Sequence, residues 1–138
     1  MWDKKFKDGV ADDYFSTRWF VQRYNQLSGK EGINGVKEIV AANDRYTQEV
    51  FKEFSENLGE FLAPYVHGFN PDILIIGGNI AKAHELFLPA VLENFESANF
   101  NLTMKIIENT EEAGIVGSSY LFHPDFWSRL KKELPRSL

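Results

Sequence analysis

The chain predicts an α/β fold that is rich in helix and carries one parallel strand–helix–strand unit. Three observations lead there. The run Ile73-Leu74-Ile75-Ile76 is short, apolar and β-branched, and it lies between Pro71 and Gly77, as a strand buried on both faces would. Residues 102–108 make a second short run of strand character. Residues 79–97 between them carry apolar positions at helical spacing, and a crossover of that kind joins two strands in parallel and right-handed fashion.

The remaining elements follow in chain order. Residues 1–11 read as an extended lead-in. Asp12 and Asp13 are expected to cap a helix whose face carries Tyr14, Phe15, Trp19, Phe20, Tyr24 and Leu27, with Gly29 as its stop. That aromatic face reads as core, with room for a partner surface. A short helix is expected from Asn34 to Ala42. Asn43 or Asp44 then caps the longest helix, which runs to Gly68 on Val50, Phe51, Phe54, Leu58, Phe61, Leu62 and Tyr65, with Pro64 bending its last turn. After the first strand a helix to Ser97 is expected to kink or break at Pro89. Thr110-Glu111-Glu112 opens another helix, and Pro124 opens a last short one to Leu134. Two strands are too few for a sheet that needs cover on both faces. An extension is therefore expected from residues 1–11, from a second copy, or from chain outside these residues.

Composition bounds the function. The 138 residues are 43% hydrophobic and 14% aromatic, enough for the core of one domain spanning 1–138. A formal net charge of −5 speaks against nucleic acid as a partner, since neutralising phosphates needs a Lys/Arg surface. The absence of cysteine excludes disulfides and Cys-ligated zinc within the chain and fits a reducing compartment. No apolar run reaches the ~20 residues that span a bilayer, so no membrane role is expected, and a cytoplasmic location is.

The turn after the first strand is the best candidate for chemistry. Gly77, Gly78 and Asn79 stand where a strand hands over to a helix, a common place for a nucleotide because the backbone can approach closely and N–H groups point into the turn. A plain tight βα connection is the alternative. His67, His84 and His123 have no second His at metal-ligand spacing and receive no role, His84 being expected on the surface. Glu108, Glu111 and Glu112 read as first-turn helix charge. Ser118-Ser119 lacks a His partner at motif spacing. Gly114 and Gly117 are expected to let their helix pack closely on the sheet or on another helix.

The order of these features resembles the C-terminal part of the ROK family of sugar kinases and repressors, over about residues 10–122. Phe69-Asn70-Pro71-Asp72-Ile73-Leu74-Ile75-Ile76-Gly77-Gly78-Asn79-Ile80 resembles the family's adenosine-binding segment. Lys105-Ile106-Ile107 and Ala113-Gly114-Ile115-Val116-Gly117-Ser118-Ser119 resemble its closing strand and small-residue helix. Asp12-Asp13-Tyr14-Phe15-Ser16 is similar to the segment after the family's zinc loop. The resemblance implies the C-terminal part of an actin-like ATPase domain. It implies a parent protein that transfers phosphate from ATP, with Mg, to a sugar hydroxyl of glucose or an N-acetylated hexosamine, with adenosine near Gly77, Gly78 and Asn79. Asp12 falls where the family has a sugar-contacting Glu; a helix N-cap is the alternative. The family's Asp-x-Gly-Gly-Thr phosphate loop, its catalytic Asp and its His/Cys zinc motif do not occur here, so the resemblance implies an isolated chain that is inactive and holds no zinc. Its partners would be nucleotide and sugar in the parent, and the missing N-terminal half or a second copy. A sugar-responsive regulator, or a module whose job is dimerisation, is the alternative function.

Overall fold

A computed structural model describes residues 2–97, 102–107 and 109–133. The chain opens on a small antiparallel hairpin, β1 (Lys5–Phe6) and β2 (Gly9–Val10). This hairpin pairs with itself, so it does not extend the main sheet.

The expected first helix is two helices. α1 (Ala11–Phe15) ends at Ser16, whose backbone is extended, and α2 (Thr17–Ser28) starts there. Ser16 Oγ accepts from Trp19 N–H at 3.3 Å, so a hydroxyl restarts the helix. Gly29 closes α2 in the left-handed conformation, as its sequence position suggests. α3 (Val36–Ala42) leads to Asp44, the N-cap of α4 (Arg45–Phe69). The Asp44 carboxylate accepts from Tyr46 and Thr47 N–H groups, both at 3.0 Å. α4 runs through Pro64 and closes at Asn70.

The core lies between α2, α3, α4 and α5 (Leu88–Ser97). Phe20, Tyr24, Ile39, Val50, Phe51, Phe87 and Val91 are all at most 1% exposed. Phe54 sits at its centre, with ring centroids of Phe20, Phe87, Phe15 and Trp19 at 4.8, 5.1, 5.9 and 6.1 Å. Edge and tilted contacts of this kind add to the burial of large rings. The aromatic face of α1 and α2 is thus core, not a partner surface. α4 and α5 approach closely at Gly59, where a Cβ would stand 3.2 Å from Asn94 Nδ2.

β3 (Ile73–Gly77) and β4 (Thr103–Ile107) pair in parallel, with Ile73 opposite Thr103 and Gly77 opposite Ile107. Between them the expected single helix is replaced by a 3-10 segment, Ile80–Leu86, and then α5. Pro89 explains the break: it is tolerated only in a first turn, so α5 has to begin at Leu88. The expectation of a strand buried on both faces is also corrected. Ile76 and Met104 pack on the core, while Ile73 and Ile75 are 46% and 58% exposed. α6 (Thr110–Ser119), a short 3-10 turn at Tyr120–Phe122 and α7 (Pro124–Glu133) follow. A Cβ at Gly114 or Gly117 would meet nothing within 4 Å, so these glycines mediate no close packing here. Glu108, from the acidic cluster, and Leu134, the expected end of the last helix, lie outside the described residues.

Candidate nucleotide groove at the Gly-Gly turn

Gly77, Gly78 and Asn79 close β3 and start the 3-10 segment. Gly78 has φ +97°, a conformation that side chains with a Cβ rarely adopt, so glycine is required there by the backbone itself. Its N–H donates to Thr110 Oγ1 at 2.8 Å, which ties the end of β3 to the first turn of α6. That N–H is therefore engaged within the fold. Gly77 has ordinary room, with Thr110 at 3.5 Å from a Cβ position. Ala81 N–H donates to Gly78 O at 3.1 Å and Lys82 N–H to Asn79 O at 3.3 Å, the i→i+3 pattern of a tight helix. Asn79 is exposed and its side chain makes no capping bond.

Asn79 lines a groove of about 580 Å³ together with Thr17, Gly35, Val36, Lys37, Val40, Lys82 and Ala83. The volume is within the range of small-molecule sites. One wall is the start of α3, the opposite wall is the 3-10 segment, and the start of α2 closes one end. Val36, Val40 and Ala83 make the walls apolar, and Lys37 and Lys82 add exposed ammonium groups. No carboxylate lines the groove, and among the described residues no cluster of three or more His, Asp or Glu is placed to hold a metal ion. These residues do not fit a Mg site, which takes carboxylate oxygens as its protein ligands.

Of Gly77, Gly78 and Asn79, only Asn79 lines this groove; Gly77 lines a separate apolar groove along β3, Gly78 lines neither, and the α3 wall is not among the residues singled out from the sequence. Two signals were available in Gly35-Val36-Lys37: a glycine before a helix, followed by an apolar residue and a cation. What could not be read was that α3 folds back against the turn more than forty positions later.

Asp12 stands apart from the groove. It lies in the first turn of α1, exposed, 3.3 Å from Arg18, whose same nitrogen reaches Asp13 at 3.2 Å. The N-cap alternative for Asp12 is corrected: the N-cap position is Val10, and Asp13 Oδ2 accepts the Val10 N–H at 3.0 Å. Asp13 also lines a second, polar trough with Asp8, Trp19, Gln22, Arg23 and Glu53, in which Arg23 Nε meets Glu53 at 2.7 Å. His84 is half-buried, with Nδ1 3.1 Å from Ala81 O, and not on the open surface as expected.

The fold has a counterpart among solved structures. A protein described as a sugar kinase from Cytophaga hutchinsonii superposes with a TM-score of 0.75 at 15% identity, over 88% of this chain and 47% of that one. In sequence, a glucokinase from Thermotoga maritima is 31% identical over 81 residues, which is 55% of this chain and 26% of the relative. A glucokinase from Halalkalibacterium halodurans is 24% identical over 67% of this chain and 30% of its own length. A xylose repressor from Caldicellulosiruptor bescii is 28% identical over 83% of this chain and 28% of its own. The chain thus spans less than a third of the curated relatives it matches. The ROK family model matches residues 7–124, the greater part of the sequence, and the chain belongs to the ROK family.

Proposed function

We propose that this chain is the C-terminal portion of an ATP-dependent sugar kinase, of the glucokinase or N-acetylhexosamine kinase type, and that it supplies the adenosine side of the ATP site. The observation that carries the reading is the groove beside the Gly-Gly turn. Its apolar walls, Val36, Val40 and Ala83, suit a flat purine ring. Asn79 offers an amide to ring or ribose, and Lys37 and Lys82 offer positive charge to phosphate oxygens. Phosphoryl transfer consists mostly of positioning and charge stabilisation. The groove has no carboxylate to receive a hydroxyl proton, so the chain alone binds nucleotide without turning it over. Asp12 is the sugar-side carboxylate in this reading, already oriented by Arg18.

Titration of the chain with a fluorescent ATP analogue tests it. Saturable binding is expected. Gly35→Phe should abolish it, because Gly35 lines the groove, its φ of −165° suits any residue, and a Cβ there meets nothing within 4 Å. Lys82→Ala should weaken binding with unchanged folding, and Asp12→Asn should leave it unaltered. Equal affinity in Gly35→Phe and the wild type would end the proposal.

A second reading has its own support. The xylose repressor match covers more of this chain than either glucokinase match does. In that reading the module answers to sugar without ATP turnover. Sugar binding with no nucleotide binding would favour it.

A further inference from the structure

The link between α2 and α3 holds a reactive residue pair. Asn34 is the one asparagine of the sequence that precedes a glycine. Its side chain is exposed, and among the described residues its amide makes one surface bond, Nδ2 to Gly32 O at 3.0 Å. Gly35, the N-cap of α3, has an extended backbone, and among the described residues no acceptor takes its N–H. A Cβ at Gly35 would meet nothing within 4 Å, so that side of the backbone is open. An unengaged nitrogen without a neighbouring side chain can turn onto the Asn34 amide. Asn57 shows the opposite case. It lies inside α4, is 3% exposed, and its Oδ1 accepts from Lys7 Nζ at 2.6 Å. Helical hydrogen bonding there keeps the next backbone nitrogen engaged.

We propose that Asn34-Gly35 is a self-modification site, at which the chain turns its own asparagine into aspartate and isoaspartate. Gly35 N attacks Asn34 Cγ and forms the new C–N bond of a cyclic imide. The Cγ–Nδ2 bond breaks, and Nδ2 leaves as ammonia with the proton that Gly35 N gives up. Water then opens the ring. Addition at Cγ gives aspartate. Addition at the backbone carbonyl gives isoaspartate, whose main chain runs through Cβ and Cγ. Nothing is oxidised or reduced, and the net reaction takes amide and water to carboxylate and ammonium. Either product disturbs the start of α3. The carboxylate replaces the donor that faced Gly32 O, close to Glu38, whose Oε2 accepts the Asn34 N–H at 2.9 Å. Isoaspartate also lengthens the main chain by a methylene directly before Gly35, which lines the nucleotide groove. Val36 and Ile39 are anchored in the core, so the added length is taken up at Gly35 and the link. The groove thus loses its fit as the chain ages, a consequence that rests on the nucleotide reading.

The test is a peptide map of the folded chain during incubation in mildly alkaline buffer. Trypsin cuts after Lys30 and Lys37, so the reaction is read on peptide 31–37. That peptide should gain the mass difference between a hydroxyl and an amino group, and part of it should accept methyl groups from an isoaspartyl methyltransferase. Peptides that hold the other asparagines should stay unchanged. Gly35→Ala, which the extended backbone tolerates, should slow the reaction by about tenfold or more, because a Cβ crowds the attacking nitrogen. Aged wild type should bind a fluorescent ATP analogue more weakly, in proportion to the converted fraction. Asn34→Gln should keep its initial affinity over the same time. An unchanged peptide 31–37 in the folded chain would overturn the proposal. So would Gly35→Ala reacting as fast as the wild type, or equal loss of affinity in Asn34→Gln. Absence of binding in the fresh wild type would instead end the nucleotide reading, and the modification would then stand or fall on the peptide map alone.

Discussion

Residues 11–95 and residues 110–133 treat their apolar side chains in opposite ways. In the first region Phe20, Phe51, Phe54, Phe87 and Phe95 are at most 3% exposed, and four helices enclose them. In the second, α6 buries no residue, and Ile115, Val116 and Phe122 are 73%, 50% and 89% exposed. Both stretches are rich in apolar residues, so composition does not explain the contrast. What differs is the number of neighbours that the chain itself provides. The helical region closes on its own side chains, whereas the C-terminal helices and the outer face of β3 wait for cover. That fits a chain spanning less than a third of its curated relatives.

The contrast can be broken first at the centre of the helical core. Phe54→Ala removes a ring that touches four other aromatics and should cost about 3–5 kcal/mol, read as a lower denaturation midpoint with an unchanged slope. A shift of less than a third of that would mean that the core is looser than the packing implies.

Acid should act on the same region through Asp44. Its carboxylate accepts from Lys30 Nζ at 2.9 Å, from Tyr24 Oη at 2.8 Å and from two helix N–H groups. The Lys30 hydrogen bond, with the help of the others, holds its pKa far below the ordinary 3.8. A lowered folded-state pKa contributes stability that is fully present above the unfolded value and is lost as pH falls through the folded one. The wild type should therefore lose stability progressively below about pH 4. Asp44→Asn should start less stable at neutral pH and fall less steeply in acid. Parallel pH profiles for the two proteins would remove Asp44 from the account of acid sensitivity.

At the boundary between the two regions, Thr110→Val deletes the acceptor of the Gly78 N–H. The expected loss is about 1 kcal/mol, with faster amide exchange at Gly78. The smallest effect belongs to the uncovered region. Phe122→Ser should change stability by less than about 0.5 kcal/mol, measured by thermal melting. A large loss there would show that α6 and α7 are covered after all.

Much of the fold was legible because its signals are local. Asp44 caps α4, Gly29 stops α2, and the spacing from Val50 to Phe61 marks the buried stripe of a single long helix, from which Tyr65 is exposed. β3 and the start of β4 lie within one residue of their expected places, and Thr110 opens α6 as expected. The misses share one cause: a choice decided by tertiary neighbours. Ser16 fits a helix interior or an N-cap, and the sequence does not say that the chain turns there. β-branched runs read as buried on both faces, yet burial depends on what lies over them, and only the even-numbered side of β3 has a cover. The groove was legible at Asn79 and illegible at Val36 and Lys37, because the turn is contiguous and its opposite wall is not.

The most direct test of the nucleotide groove is the amide spectrum of isotope-labelled chain titrated with ATP. Shifts are expected to cluster at residues 35–40 and 79–83, with Asp12 and the polar trough at Asp13 and Gln22 unmoved. Shifts confined to the trough, or none at residues 35–40 and 79–83 at saturating ATP, would contradict an adenosine site at the Gly-Gly turn.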